Sequence, residues 1–264
     1  MRRSAFIAAW LFSVAALAQE ALSPVPFITT PEEVVQRMLE LAGTRPSDLV
    51  VDLGSGDGRI VIAAARNFGA RGLGIELDRA LVEKSRDNAR QAGLADRVSF
   101  VHGDVLRADL SPASVVTVYL LPGLINRLQP RFLEQLQPGT RIVSHAFRMT
   151  GWPPDRAETL SISKPHPGQG DESTLYLWVV PAEVRGRWQG NGSELTIYQN
   201  FQHIEIEGRL GGRALQAPRA ALHGREIAVE DSPVRFRGRI QGEQIAGELL
   251  LADRRTPLLL TRAR

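Results

Sequence analysis

Apolar residues recur at helical spacing over residues 31–42, where Val34, Val35, Met38, Leu41 and Ala42 form one stripe. Thr30 suits the N-cap of that helix and Pro31 its first position. Glu32 and Glu33 suit the positive end of its dipole, and Gly43 ends it. Residues 49–52 then read as a buried strand, three apolar β-prone positions closed by the carboxylate of Asp52. Gly54, Gly56 and Gly58 follow, and from Arg59 the run Ile60-Val61-Ile62 into three alanines reads as a buried helix. The unit repeats with a strand over 72–76, a helix over 79–92 stopped by Gly93, and a strand over 98–101. Residues 114–120 supply a fourth strand, 124–136 a helix and 141–144 a fifth strand. Two further strands, 159–162 and 175–180, flank the loop 164–170 as an antiparallel hairpin at the sheet edge. Strands alternating with helices predict an α/β domain with an open, mostly parallel, doubly wound sheet.

After Pro181 the pattern changes. Short alternating runs recur between glycines every 8–12 residues or so, as in an antiparallel meander or small barrel. Ile204 and Ile206 against Glu205 and Glu207 put one strand face in a core and the other in water. The chain thus divides into a leader (1–18), an α/β domain (19–181) and a small antiparallel all-β domain (182–264). The β domain carries no catalytic constellation and reads as a substrate-positioning or interaction module. Arg235, Arg237 and Arg239 share one strand face, which fits either an acidic partner or plain solvation.

Composition narrows the picture little. The 264 residues are 43 % hydrophobic and 23 % charged, ordinary for a soluble globular protein. Cysteine is absent, which excludes disulfides, a thiolate nucleophile and a Cys-based metal site, and no metal is expected. The formal charge of +3 rests on arginine usage without a basic run, so nucleic acid is not an expected partner. Arg2 and Arg3 precede an apolar stretch from Ala5 to Ala18, and Ala16-Leu17-Ala18 satisfies a small-x-small cleavage rule. A secretory signal peptide, and hence an exported or periplasmic protein, is the expectation. An uncleaved anchor that brings the protein close to a membrane, or a misplaced start codon, reads from the same residues.

The chemistry concentrates at the ends of the predicted strands. A strand, a glycine-rich turn and a helix at the start of a crossover unit make a nucleotide site, because such a turn lets backbone N–H groups approach a ligand. The spacing here is G-x-G-x-G behind Asp52, not the G-x-G-x-x-G of dinucleotide folds. That variant is the usual mark of S-adenosylmethionine (SAM) methyltransferases; another nucleotide or a plain tight turn are the other readings. Glu76, at the end of the next strand, can accept hydrogen bonds from both ribose hydroxyls or stand solvated. Asp104 follows the third strand, where a carboxylate can meet the adenine amino group or cap its own loop. His102 reads as a structural strand-end residue.

From Pro26 to about Pro154 the chain resembles a family of seven-strand protein-lysine methyltransferases. That family includes archaeal broad-specificity enzymes and mitochondrial ones acting on the ATP synthase c subunit or the adenine nucleotide translocase. TTPEEVVQRMLELA, VVDLGSGDGRIVIAAA, FGARGLGIELD, VVTVYLLPGLIN and GTRIVSHAF followed by GWPPD carry the resemblance. It implies a Rossmann-like seven-strand sheet and SAM binding by Thr30, Asp52, Gly54, Gly56, Glu76 and Asp104, with Ser55, Leu77 and Val105 beside them in the same turns. It also implies a protein partner that presents a lysine. Tyr119-Leu120-Leu121-Pro122 stands where many amino methyltransferases carry an Asp/Asn-Pro-Pro-Tyr turn facing the acceptor nitrogen. Tyr119 is the first candidate there, with packing at a strand end as its other reading; Asn126 and His145 are further candidate acceptor contacts. Thr29 replaces a proline common in the family, at the lid over the methionine end of SAM, which implies a looser site. A small-molecule methyltransferase and an exported, non-catalytic binding protein on the same fold are the alternatives, although the intact Asp52, Glu76 and Asp104 speak against loss of the site.

Overall fold

The computed structural model describes residues 28–163 and 170–263. The leader and most of the hairpin loop, residues 164–169, lie outside this set. Eleven elements build the first domain: α1 (Glu32–Leu41), β1 (Leu49–Leu53), α2 (Arg59–Phe68), β2 (Arg71–Glu76), α3 (Arg79–Gln91), β3 (Val98–His102), β4 (Val115–Val118), α4 (Pro122–Gln135), β5 (Arg141–His145), β6 (Arg156–Ser161) and, as the last strand, β7 (Glu172–Val179). The strands form one sheet in the order β3-β2-β1-β4-β5-β7-β6. Neighbours run parallel from β3 to β5, while β7 runs antiparallel to both β5 and β6. The expected edge hairpin is present, with its second strand tucked inside the first.

Strand alternation decides the two faces. Val50, Val115, Val143 and Leu175 pack under α1, α2 and α3, whereas Val51, Leu53, Val116, Val118 and Ile142 pack against α4. Each apolar side chain buried this way contributes about 1.5–3 kcal/mol. On the α1–α3 face the alternation turns polar at the carboxyl ends of the strands. Val50 is followed by Asp52, Val115 by Thr117 and Tyr119, and Val143 by His145; Ser173 precedes Leu175 on antiparallel β7. A polar row therefore continues an apolar stripe, all on one face.

Two of the boundaries that differ from the sequence reading lie beside the polar row. Pro31, with ψ 148°, is the N-cap of α1, and Thr30 lies one residue outside the helix. The fourth strand stops at Val118 and α4 begins at Pro122, because proline suits a first helical position, so Tyr119 to Leu121 form the turn between them.

Residues 186–262 make a second sheet of nine antiparallel strands: β8 (Gly186–Gly190), β9 (Ser193–Asn200), β10 (His203–Leu210), β11 (Arg213–Ala214), β12 (Arg219–His223), β13 (Glu226–Asp231), β14 (Val234–Gln241), β15 (Gln244–Leu251) and β16 (Arg254–Arg262). Their order is β11-β10-β9-β8-β16-β15-β14-β13-β12. β10 and β12, near opposite ends of that order, pack against each other, so the sheet curls around a core that includes Trp188, Ile206, Phe236 and Leu260. Glycine permits the curl: a Cβ on Gly247 would lie 2.1 Å from the carbonyl oxygen of Arg237. Two of the three arginines on one face of β14 meet carboxylates within the sheet, where Arg239 pairs with Glu226 and Arg237 stands 3.8 Å from Glu230.

The β domain meets the first domain at the amino ends of the parallel strands. Arg225 donates to the carbonyl of Pro138 (3.2 Å) and to Gln137 Oε1 (3.0 Å), just before β5. Trp152 stacks on Phe201 at 5.4 Å and donates its indole N–H to Gln202 Oε1 (2.9 Å). The polar row lies at the other end of β5, about 13 Å away for four residues of strand. These contacts anchor the module away from the polar row, contrary to a direct substrate-positioning role.

Candidate active site

The carboxyl ends of β1, β2 and β3 each deliver one carboxylate. Asp52 is 2 % exposed and its Oδ1 accepts the Thr117 hydroxyl at 2.7 Å. Glu76 bridges two turns: one oxygen accepts the N–H of Gly56 and the other that of Asp78, both at 2.9 Å. Leu77 beside it is 68 % exposed, an apolar surface next to that carboxylate. Asp104 accepts the N–H of Leu106 at 2.9 Å, so it does cap its own turn. Its other oxygen stands 3.9 Å from Arg107. Val105 buries its side chain in the α4-side core, and its carbonyl accepts from Arg131 at 2.9 Å.

The glycine loop is used differently from the sequence expectation. The N–H groups of Gly54 and Ser55 both donate to Ile75, that of Gly56 to Glu76 and that of Gly58 to Ser55. A loop that cradles phosphate keeps such donors for the anion, and this one spends them internally. Gly54 (φ 79°) and Gly58 (φ 81°) hold left-handed conformations, and added Cβ atoms would meet Leu120 at 2.9 Å and the Phe100 ring at 2.6 Å. Ser55 also turns inward. Its buried hydroxyl lies against Gly74 and has no hydrogen-bond partner among the described residues.

The acceptor candidates lie at the ends of β4 and β5. The Tyr119 ring sits 4.2 Å from the His145 ring, tilted 33°, and 6.2 Å from Phe147. His145 is 1 % exposed, with Nε2 2.8 Å from the Ser173 hydroxyl and Nδ1 3.3 Å from that of Thr30. Burial pushes its pKa down to about 4, so the imidazole is neutral. Asn126 is committed elsewhere: its amide oxygen accepts the N–H of Thr150 (2.7 Å) and its NH₂ donates to that residue's hydroxyl (3.1 Å). It staples α4 to the loop after β5.

Residues 52–156 match the family model described as "ANTKMT methyltransferase domain". A protein-lysine N-methyltransferase of Saccharolobus islandicus is 40 % identical over 157 residues, 59 % of this chain and 94 % of that protein. The chain belongs to this methyltransferase family. The mouse adenine nucleotide translocase lysine N-methyltransferase is 35 % identical over 130 residues, which span 49 % of this chain and 56 % of the mouse protein. A solved structure titled as an RNA methyltransferase from Salinibacter ruber, in complex with S-adenosyl-L-homocysteine (SAH), is 52 % identical. It covers 60 % of this chain and 96 % of its own, with a TM-score of 0.53.

The enzyme is SAM-dependent, and its donor site fits that cofactor on chemical grounds. Three carboxylates and a loop whose amides are already paired suit a cationic ligand without phosphate. Burial, with smaller contributions from the Glu76 and Asp57 charges, pushes the Asp52 carboxyl up to about 7 against the Thr117 hydrogen bond. Four residues that support the candidate site escaped the sequence reading. Thr117 was signalled only by alternation in its strand, Ser173 by nothing, and the Asp57–Arg59 pair by its place around Gly58. Arg59 grips both Asp57 oxygens (2.9 and 2.6 Å) and donates to the carbonyl of Thr30 at 2.9 Å.

Proposed function

We propose that this methyltransferase modifies the side-chain nitrogen of lysine in a protein. The observation that carries the reading is the Tyr119 ring, seated at the end of β4 on the face that also holds Asp52 and buttressed by the neutral His145. Bound SAM supplies an electrophilic methyl on a cationic sulfur. Asp52 would hold the donor's ammonium, Glu76 its ribose hydroxyls and Asp104 its adenine amino group, with Leu77 as an apolar wall. Tyr119 orients the acceptor amine through its hydroxyl or its ring face. A lysine amine must shed its proton before attack, at a cost of about 4.6 kcal/mol at pH 7 in water, which desolvation in the cleft lowers. His145 takes no part as a base, because protonating an imidazole whose pKa is about 4 costs about 4 kcal/mol at pH 7. Alignment and exclusion of water are what the site contributes.

The reading is tested by incubating the purified protein and labelled SAM with cell protein, total RNA and small-molecule extracts in parallel. The RNA arm answers the Salinibacter ruber relative. Label on lysine in mass spectra, lost with Tyr119→Phe or Tyr119→Ala, supports the reading. Label confined to RNA or small molecules overturns it. Export is the localisation supported by residues 1–18, with the mature chain starting at Gln19. Cell fractionation with N-terminal sequencing tests that.

A further inference from the structure

Thr30 is a buried polar residue in a segment that is neither helix nor strand, at 4 % exposure. Two side chains from distant elements hold it. His145 at the end of β5 meets its hydroxyl at 3.3 Å, and Arg59 at the start of α2 donates to its carbonyl at 2.9 Å. Neither holder is free to drift. The Arg59 guanidinium is gripped by Asp57, whose own carbonyl accepts from Asn88 Nδ2 at 2.9 Å. The other nitrogen of His145 is taken by Ser173, and one face of its ring lies on Tyr119. The strap of residues 28–31 is thus pinned on one side to the glycine loop and on the other to the ring that buttresses the acceptor tyrosine.

We propose that Arg59 and His145 are positioning residues that clasp the strap formed by residues 28–31 over the donor site, and that His145 couples this clasp to the placement of Tyr119. A neutral imidazole has one donor and one acceptor, and its two hydroxyl partners can each serve either role, so both ring nitrogens are satisfied only while Thr30 is in place. Displacing the strap leaves a buried ring nitrogen without a partner and lets the ring under Tyr119 tilt. The donor half and the acceptor half then respond together. The acceptor part of the inference rests on the reading of Tyr119 given above; the donor part stands without it.

The test uses calorimetry of SAH with Thr30→Val, His145→Ala, His145→Asn and Arg59→Ala, each shown folded by circular dichroism. Thr30→Val keeps the shape and removes only the hydroxyl. Thr30→Val, His145→Ala and Arg59→Ala should each weaken SAH about tenfold or more, as expected when a partner of a buried polar group is removed. His145→Asn keeps an amide near the Nδ1 position, so SAH affinity should return to within about threefold of wild type while kcat stays low, because the ring under Tyr119 is gone. Combining Arg59→Ala with His145→Ala should cost less than the product of the single effects, since both act on Thr30. Unchanged SAH affinity in folded Thr30→Val and Arg59→Ala overturns the clasp, as does strict multiplication in the double variant. Loss of an inflection near pH 6–7 or so from the rate profile of His145→Asn would make His145 an acid–base group and overturn the positioning role. A normal SAH response with no effect of Tyr119→Ala on kcat would refute the acceptor reading and leave the clasp standing.

Discussion

Asp52→Asn separates two effects of one buried carboxyl. In the folded protein its pKa stands at about 7, chiefly because burial disfavours the charge, with Glu76 and Asp57 adding to the rise. The unfolded chain releases the same proton near pH 4. Between those values the native state holds a proton that the unfolded state has lost. Stability of the SAM-free protein therefore falls as pH rises, by about 1.4 kcal/mol per pH unit, and levels off above pH 7 or so. The whole loss is about 4 kcal/mol. Asparagine cannot ionise and can keep the Thr117 hydrogen bond through its amide oxygen, so the variant should lack this decline. Urea denaturation of both proteins at several pH values between about 4 and 8 measures it, with the difference between the curves isolating Asp52 from other titrations. The variant should be the more stable by up to about 4 kcal/mol at pH 8 and about equal at pH 4. SAM binding should move the other way. A cation favours the carboxylate, so wild-type affinity improves as pH rises through about 7, and Asp52→Asn weakens SAM by about 1.5–3 kcal/mol, on the order of 10- to 150-fold. Parallel stability curves would refute the burial reasoning, and unchanged SAM affinity would refute the role of Asp52 in holding the donor.

Three further outcomes follow from the packing. Gly58→Ala puts a methyl 2.6 Å from the Phe100 ring at φ 81° and should cost about 2–5 kcal/mol in chemical denaturation; a loss under about 1 kcal/mol would show that the ring yields freely. Glu76→Gln keeps one of the two backbone acceptances and loses the charge, so SAH should bind about tenfold or more weaker by calorimetry, with equal binding counting against a ribose contact. Trp152→Ala removes the stack on Phe201 and should destabilise by about 3–5 kcal/mol in scanning calorimetry. Because Trp152 lies at the far end of β5, SAH affinity should stay within about twofold, and a larger change would mean that the β domain communicates with the site.

Much of the candidate donor site was legible because it is local. Asp52, Glu76 and Asp104 each end or follow a strand with its own alternation, and a parallel sheet brings such ends to one edge without further instruction. The glycine spacing pointed to the right ligand for a reason only partly right. The turn is tight as expected, yet its amides bond to Ile75, Glu76 and Ser55, not to a ligand. Thr30 shows the limit of local reading. A threonine before a proline and two glutamates is a good N-cap by pattern, but the pull of a buried partner 115 positions away takes its hydroxyl to His145. His145 and Asn126 looked alike as polar residues near the acceptor turn. One turns out to be sealed between two hydroxyls beneath Tyr119, the other bound twice to Thr150.

The sequence by itself determined the class of architecture, the change to an antiparallel domain after Pro181, the candidate donor carboxylates and the family. These follow from hydrophobic period and turn chemistry within windows of a few residues, where backbone sterics and solvent exposure act directly. Only the tertiary structure decided which charges are paired, as for Arg237 and Arg239 on β14, which end of the first domain the β sheet covers, and which hydroxyls flank His145. The protonation of Asp52 belongs to the same group. Those properties depend on which distant surfaces exclude water from one another, and a linear pattern of polar and apolar letters does not carry that pairing.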